Sequence, residues 1–183
     1  GHRDRHAPFV PAVVARGTGE VSALAYTTLT RKLYVFVNLG GLNYIYSLAT
    51  NAGALTLVTS FSSTYGTVTD VAEYNGFLYL HLSWGEDEYR QLWRFNPATG
   101  AVALVATGTD ANHKGNGGIG VSGAYLWWLE GRYLHRSADG TTFVQVLDLG
   151  PMAYNDQDET AATGMVTGSD GKCYFTAYLG EGS

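Results

Sequence analysis

The segment from Trp84 to Tyr89 carries the side chains best suited to ligand chemistry. It reads Trp-Gly-Glu-Asp-Glu-Tyr, so two aromatic residues flank three carboxylates. Aromatic rings stack on sugar rings, and carboxylates accept hydrogen bonds from sugar hydroxyls or contact a partner peptide. Glu86 and Asp87 are also the residue types that a glycosidase pairs, but neighbours on a hairpin tip seldom hold that geometry. We therefore predict ligand contacts from Trp84, Glu86, Asp87 and Tyr89 and no catalytic residues; the alternative is a solvated tip whose tryptophan packs on a neighbouring blade.

A second acidic segment covers residues 155–159, Asn-Asp-Gln-Asp-Glu. Oxygen ligands at alternating positions form the first half of a calcium-binding loop, although the glycine and the distant glutamate of an EF-hand are absent. We predict Asp156 and Asp158 as candidate ligands of calcium or another hard cation, with a solvated acidic loop as the alternative and no other cofactor. Tyr154, next to this segment, and His113, in a glycine-rich loop, complete the predicted ligand-binding set.

The sequence motifs of several other common functional sites are absent. The glycine-rich stretch 115–120 has no Gly-Lys-Ser/Thr ending, so it is not a phosphate-binding loop. No histidine spacing indicates zinc, and no serine stands in a nucleophile elbow. Cys173 lies in a predicted strand without an activating neighbour, which favours a buried apolar role. His81, also within a strand, is expected to be structural, and His135 is expected to be exposed.

Composition restricts the class of protein. The 183 residues suffice for one domain, and a net charge of −5 with 11 scattered Lys and Arg argues against nucleic acid as a partner. No apolar run reaches the length of a membrane span. With 24 Gly, 13 Tyr and little Lys and Glu, strands and tight turns are favoured over helices. One cysteine excludes an internal disulfide and leaves the location open, with an extracellular or periplasmic setting favoured.

A repeat with a period of 45 to 48 residues organises the chain. Its anchors are Tyr34, Tyr79, Leu126 and Tyr174, each inside a short β-like run. Residues 45–58 also match residues 92–105 without a gap, as two alternating strands joined by a turn. A period in this range with four short strands predicts propeller blades. Because strand alternation places equivalent side chains against the same layer, we expect the four anchors to be similarly buried.

We predict a single all-β domain over residues 1–183, a β-propeller of four blades with four antiparallel strands each. The blades cover about residues 18–62, 63–111, 112–153 and 154–183. The fourth repeat holds only two strands, so residues 1–17, with the apolar run Phe9–Val14, are predicted to close the last blade and remove an exposed sheet edge. The alternatives are a partial propeller completed by a second copy and a fragment of a longer one; the chain is a monomer if closed and a dimer if partial.

Several motifs resemble bacterial β-propeller repeats of the Kelch and related types. They are Lys32–Phe36, Asn75–Tyr79 and Phe95–Gly100, the last similar to the Asp-Pro-x-Thr-Gly turn between outer blade strands. Ser137–Phe143 looks like a degenerate Asp-box, one residue short, which is a fold-stabilising turn in sialidase-like propellers. The resemblance covers about residues 18–179 and implies a fold rather than an activity.

Antiparallel strands sort the connections onto two faces of a propeller. One face should carry tight turns, and the other the long loops Asn38–Asn43, Ser60–Thr67, Ser83–Arg90, Thr107–Gly118 and Gly150–Thr160. Binding residues concentrate on loops held by a rigid scaffold. We therefore predict a non-catalytic recognition module for a glycan or a protein partner, which acts through an acidic long-loop face. The alternatives are a glycoside hydrolase or lyase with dispersed carboxylates and a structural domain of a larger surface or appendage protein.

Overall fold

Every regular element in the described part of the chain is a β-strand. The computed structural model describes residues 19–49, 54–85, 89–111, 117–149 and 162–177. The strands are β1 (Glu20–Thr27), β2 (Lys32–Leu39), β3 (Leu42–Ala49), β4 (Thr56–Ser62), β5 (Gly66–Tyr74), β6 (Phe77–Trp84), β7 (Gln91–Phe95), β8 (Val102–Thr107), β9 (Gly117–Ser122), β10 (Tyr125–Glu130), β11 (Tyr133–Ser137), β12 (Val144–Asp148), β13 (Ala162–Thr167) and β14 (Cys173–Ala177).

The strands form four antiparallel units, which we call blades 1 to 4. Blades 1, 2 and 3 are β1–β4, β5–β8 and β9–β12, and each pairs its strands in sequence order. Blade 4 contributes β13 and β14 from the described residues, and a single parallel bridge between Thr163 and Gly117 joins β13 to β9. Consecutive antiparallel pairing places the predicted four strands of each of the first three repeats in one sheet.

Glycine-containing two-residue turns explain where neighbouring strands reverse. Gly40 and Gly41, between β2 and β3, have φ of 59° and 82°, and Asn75 and Gly76, between β5 and β6, have φ of 48° and 82°. Positive φ at both central residues suits the twist of a two-stranded hairpin, and Asn-Gly and Gly-Gly adopt it readily. These turns give short, stiff connections that fix the pairing register.

Alternate residues of each second strand face the two neighbouring blades. Tyr34 packs with Leu78 of blade 2, and Tyr79 packs with Leu126 of blade 3. Leu126 therefore faces back toward blade 2, whereas Trp127 faces blade 4. The predicted equivalence of Leu126 with the two tyrosines is wrong by one residue, and the structural equivalent is Trp127.

Burial of the tyrosine anchors differs along the chain. Tyr34 and Tyr79 are 2% and 0% exposed, but Tyr174 is 51% exposed. The expectation of similar burial is therefore wrong for Tyr174. The cause is position: side chains at this point pack against the following blade, and no further blade follows blade 4 within the described residues.

Polar contacts join successive blades. The Tyr34 hydroxyl donates to the Pro97 carbonyl of blade 2 at 3.4 Å, and the Tyr79 hydroxyl donates to the Gly140 carbonyl of blade 3 at 3.0 Å. Asp70 on β5 accepts a hydrogen bond from the Ile119 amide of β9 at 3.0 Å, and burial raises the pKa of this carboxyl. The blades are thus held in order by hydrogen bonds as well as by apolar packing.

Closure of the ring concerns residues beyond the described ranges. Phe9–Val14, the predicted closing strand, lies outside them, so closure and the count of four blades stay predictions. No helix in the described residues is long and apolar enough to cross a membrane.

Candidate functional site

The connections lie at two ends of the blades. At one end, which we call the loop end, second strands join third strands and fourth strands join the next blade. Here residues 40–41 and 131–132 are two-residue turns and 63–65 is a three-residue connection. The expected long loops Asn38–Asn43 and Ser60–Thr67 are therefore wrong, because strand pairing extends almost to their tips. Residues 85–90 and 108–116 are long connections, as predicted.

Trp84 is the most exposed aromatic residue described at the loop end. It ends β6, its side chain is 66% exposed, and its φ is 66°. For a bulky residue this left-handed conformation is an outlier that costs about 1–2 kcal/mol. Such strain persists only where the surrounding structure imposes it. The backbone at Trp84 is thus held in one unfavourable conformation that directs the indole toward solvent.

Two glycines create the packing that imposes this conformation. A Cβ on Gly85 would lie 2.4 Å from the Gly66 nitrogen, and one on Gly66 would lie 2.1 Å from the Ser83 carbonyl oxygen. Only glycine allows the two backbone segments to approach so closely. The Asn43 side-chain amide, which is buried, donates to the Gly66 carbonyl at 2.9 Å and anchors the contact to blade 1. Trp84 therefore sits on a rigid support built from two blades.

Tyr89 stands at the far end of the same connection and is 38% exposed. Of the predicted ligand-binding residues, Trp84 and Tyr89 are described, and both present an aromatic ring partly to solvent at the loop end. The remaining predicted site residues lie outside the described ranges, and their roles stay predictions: Glu86, Asp87, His113, Tyr154, Asp156 and Asp158. In the part of the chain that is described, no three His, Cys, Asp or Glu side chains come together as metal ligands.

Three buried charged residues, Arg90, Asp110 and Glu130, form a cluster next to the Trp84–Tyr89 connection. Arg90, 1% exposed, donates from Nη1 to the Asp110 carbonyl at 2.9 Å, and its own carbonyl accepts from the Gly108 amide at 2.7 Å. Burial lowers the pKa of the Arg90 guanidinium, while the carboxylates of Asp110 and Glu130 act in the opposite direction. Arg90 thus ties together the two long connections at this end.

Glu130 of blade 3 completes the cluster and is fully buried. Its oxygens accept hydrogen bonds from the amides of Thr109 and Asp110, each at 3.2 Å, and from Nε2 of His135 at 3.0 Å. Both carboxylate oxygens are therefore occupied by protein donors. The arrangement stabilises the loop end rather than offering a carboxylate to a substrate.

Two histidines are structural. His81 accepts a hydrogen bond at Nδ1 from the Trp128 indole at 2.9 Å and is fully buried, as its strand position predicted. His135 was expected to be exposed, but it bonds Glu130 and packs on the Trp128 ring with centroids 5.4 Å apart. The expectation for His135 is wrong, because its side chain shares the face of β11 that packs toward blade 2.

Sequence reasoning missed the cluster that Arg90 and Glu130 form. The repeat contains a partial signal: Arg90 is 47 residues after Asn43, and both buried side chains donate to a backbone carbonyl near the start of the next blade or in the connection that leads to it, Gly66 and Asp110 respectively. In blades 1 and 2, the polar residue at this point of the repeat therefore makes a buried contact, whereas Arg132 in blade 3 pairs with Asp148 and is partly exposed.

The opposite end carries the Asp-box-like turn. Oδ1 of Asp139 accepts hydrogen bonds from the amides of Thr142 and Thr141, each at 2.8 Å, and from the Ser137 hydroxyl at 2.9 Å. These donors favour the charged form and hold the pKa of Asp139 well below its usual range. Because Oδ1 is occupied by donors of its own turn, this motif stabilises the connection between β11 and β12 in blade 3.

A cavity of about 300 Å³ lies between blades 3 and 4. Its walls are mainly apolar, and the residues that line it are Ser122, Trp127, Leu134, Met165, Lys172, Cys173 and Phe175. Burial raises the pKa of the Cys173 thiol, so the thiol is not activated as a nucleophile.

Comparisons with known proteins agree on the fold. No protein-family model matches the chain, and no curated protein matches its sequence. The extracellular domain of a proposed one-component system from B. thetaiotaomicron matches 86% of this chain and 20% of its own, with a TM-score of 0.58 and 12% identity. TolB from Acinetobacter baumannii matches 90% and 39%, with a TM-score of 0.57 and 12% identity. A chain of a nidogen/laminin complex matches 85% and 54%, with a TM-score of 0.58 and 10% identity.

The structural neighbours are β-propeller proteins, which confirms the predicted resemblance to propeller repeats. Identities this low show the fold alone. This chain spans between a fifth and about half of the three proteins' lengths. A Kelch-like assignment stays a prediction.

The strain at Trp84 can be measured by comparing two substitutions that both remove the indole. We expect Trp84→Gly to be more stable than Trp84→Ala by about 1 kcal/mol, because glycine adopts a φ of 66° without a Cβ clash. Chemical denaturation of the two variants gives the difference in the free energy of unfolding. A more stable alanine variant would show that the backbone there is not held in the left-handed region.

Proposed function

We propose that the chain is a non-catalytic recognition module that binds a carbohydrate or a protein partner at the loop end. The observation that supports it most is Trp84, an exposed indole on a strained and tightly packed backbone. Hydrophobic packing does not explain an exposed tryptophan in a costly conformation. Presentation of a pre-positioned ring to a ligand does explain it, because the conformational entropy of that ring is lost on folding and not on binding.

The chemistry around Trp84 favours a neutral carbohydrate. Trp84 and Tyr89 bracket three acidic residues in the sequence, so flat rings and hydrogen-bond acceptors occur together. Rings would stack on a sugar face, and carboxylates would accept from its hydroxyls. An acidic surface would disfavour anionic ligands. Binding of calcium or another hard cation by Asp156 and Asp158 belongs to the same proposal.

The alternatives receive less support from the described residues. The buried carboxylate of Asp110 accepts from the Arg132 amide, and that of Glu130 accepts from the amides of Thr109 and Asp110. Asp148 is held by Arg132 at 2.8 Å, so none of these resembles a glycosidase pair facing a substrate. A structural domain would not need the strained tryptophan. An extracellular or periplasmic setting, as for the extracellular domain from B. thetaiotaomicron, belongs to the same proposal.

A glycan microarray followed by calorimetry on the bound glycans tests the proposal. We expect Trp84→Ala to weaken binding by about tenfold or more, which corresponds to about 1.4 kcal/mol. Stability should change little, because the indole is mostly exposed. Circular dichroism and thermal unfolding of the same variant check that the fold is intact.

Tyr26→Ala is the matched control. Tyr26 is 53% exposed near the end of β1, away from the loop end, so its removal should leave binding unchanged. Binding that survives Trp84→Ala but is lost with Tyr26→Ala would contradict the proposed site. Binding of a protein ligand alone, with the same dependence on Trp84, would retain the site and exclude the carbohydrate.

A further inference from the structure

The cavity between blades 3 and 4 has the size and lining of a small-molecule site. Trp127 and Leu134 of blade 3 form one wall, and Met165, Cys173 and Phe175 of blade 4 form the other. Its volume of about 300 Å³ is at the lower end of the range of ligand pockets, about 300–1,000 Å³. Such pockets combine a mainly apolar lining with a few polar groups that orient the ligand.

The wall on blade 3 carries a tryptophan where the first two blades carry a tyrosine. The hydroxyls of Tyr34 and Tyr79 reach across to carbonyls of the next blade. At the equivalent position, the Trp127 indole donates instead to the Ser122 carbonyl of its own blade, at 3.2 Å. This side chain therefore does not bridge to blade 4 by a hydrogen bond, and its ring forms a flat aromatic wall of the cavity.

Contacts between the two blades fix the shape of the cavity. The Ser122 hydroxyl at the end of β9 donates to the Gly171 carbonyl in the turn before β14. Further along β9, a Cβ on Gly120 would lie 2.8 Å from Sδ of Met165 and 3.1 Å from Sγ of Cys173, so the strand packs tightly on blade 4. An apolar space between walls held in this way lacks packing contacts that a ligand would restore.

Lys172 places a positive charge on the blade 4 wall, at the end of the blades opposite the loop end. Within the described ranges, its ammonium forms no ion pair with a carboxylate. Asp170, two residues earlier, accepts hydrogen bonds from the Lys172 amide at 3.0 Å and from the Tyr174 hydroxyl. The Lys172 ammonium therefore has the capacity to pair with an anionic group of a ligand.

Arg136 adds a second positive charge, on the blade 3 wall. It lies opposite Trp127 in the pairing of β10 with β11, so both side chains share the face that is directed toward blade 4. Its guanidinium lies over the Tyr125 ring, 4.6 Å from the centroid. Positive charge thus flanks the aromatic cavity on both sides, although the chain as a whole has a net charge of −5.

We propose that this cavity binds a small aromatic carboxylate, with its ring between Trp127 and Phe175 and its carboxylate on the Lys172 ammonium. Aromatic rings pack favourably against one another, and an ion pair beside an apolar wall is less screened than one in open solvent. The proposal goes beyond the recognition function at the loop end. It concerns another part of the molecule and an anionic ligand, which an acidic loop end would disfavour.

Calorimetry on the full chain with 2-naphthoate and with 2-naphthalenemethanol tests the proposal, because the two probes share a ring and differ in charge. We expect 2-naphthoate to bind about fivefold or more tightly than the alcohol. Lys172→Met should abolish this preference and leave the affinity for the alcohol unchanged, since methionine keeps an unbranched apolar side chain. Lys32→Met, at an exposed position of blade 1, is the matched control for net charge and should change neither affinity.

Alkylation of Cys173 by iodoacetamide locates the bound probe, because this side chain lines the cavity. Saturating 2-naphthoate should slow the reaction about tenfold or more, measured at about pH 9 because burial raises the pKa of the thiol. Leu134→Phe, which adds volume to the blade 3 wall, should weaken binding of both probes. Binding of neither probe, equal affinities for the two, or binding that leaves Cys173 unprotected would overturn the proposal.

Discussion

Tyr79→Ala should lower the free energy of unfolding by about 3–5 kcal/mol, the usual cost of truncating a large buried aromatic side chain. The ring is fully buried in the cluster between blades 2 and 3, and it contacts Tyr74 and Phe77 edge-on. Its hydroxyl also donates to the Gly140 carbonyl, which would lose this donor. Urea denaturation followed by tryptophan fluorescence measures the loss.

Two further variants separate the contributions of the ring, the hydroxyl group and the position between blades to this loss of stability. Tyr79→Phe keeps the ring and removes the hydroxyl, so it should cost only about 0.5–1.5 kcal/mol. Tyr174→Ala removes the equivalent side chain of blade 4, which is 51% exposed, and should cost much less than Tyr79→Ala. Equal losses for Tyr79→Ala and Tyr174→Ala would contradict the view that this side chain locks one blade to the next.

The contrast between Tyr79 and Trp127 shows how far sequence alone specifies the register. The first two repeats are aligned correctly because Asn75-Gly76 marks the turn before β6. Tyr79 is two residues after the first paired residue of β6, and Tyr34 is two residues after the first paired residue of β2. In the third repeat the run from Tyr125 to Leu129 is apolar throughout. A strand buried on both faces shows no alternation, so a one-residue slip cannot be detected from hydrophobicity.

The sequence predicted the features of the candidate site that depend on local structure, but not those that depend on contacts between distant parts of the chain. The sequence places Trp84 and Tyr89 on a connection between strands, and the structure describes both there. It gives no sign of the left-handed φ at Trp84, because that conformation depends on Gly66, which is 18 residues earlier in the chain. The burial of Arg90 likewise depends on its contact with Asp110, 20 residues later in the chain, which no local sequence pattern indicates.

Arg90→Met should lower the free energy of unfolding by about 3–5 kcal/mol, because it leaves the buried carboxylates of Asp110 and Glu130 without the positive charge that compensates them. The hydrogen bond from Nη1 to the Asp110 carbonyl is lost as well. Methionine keeps most of the side-chain volume, so the loss reports charge and hydrogen bonding rather than a cavity. Because Arg90 joins the two long connections, binding through Trp84 should weaken in the same variant.

Arg132→Met is the matched control for the buried charge. Arg132 forms a bidentate pair with Asp148, but the two side chains are 34% and 41% exposed, so this substitution should cost no more than about 1 kcal/mol. Adding Glu130→Gln should cost less in Arg90→Met than in the wild-type chain, since it removes the uncompensated charge, and a double-mutant cycle measures this coupling. If Arg90→Met costs no more than Arg132→Met, or if the cycle shows no coupling, then the cluster does not hold the loop end together. The rigid presentation of Trp84 would then depend on the Gly66–Gly85 contact alone.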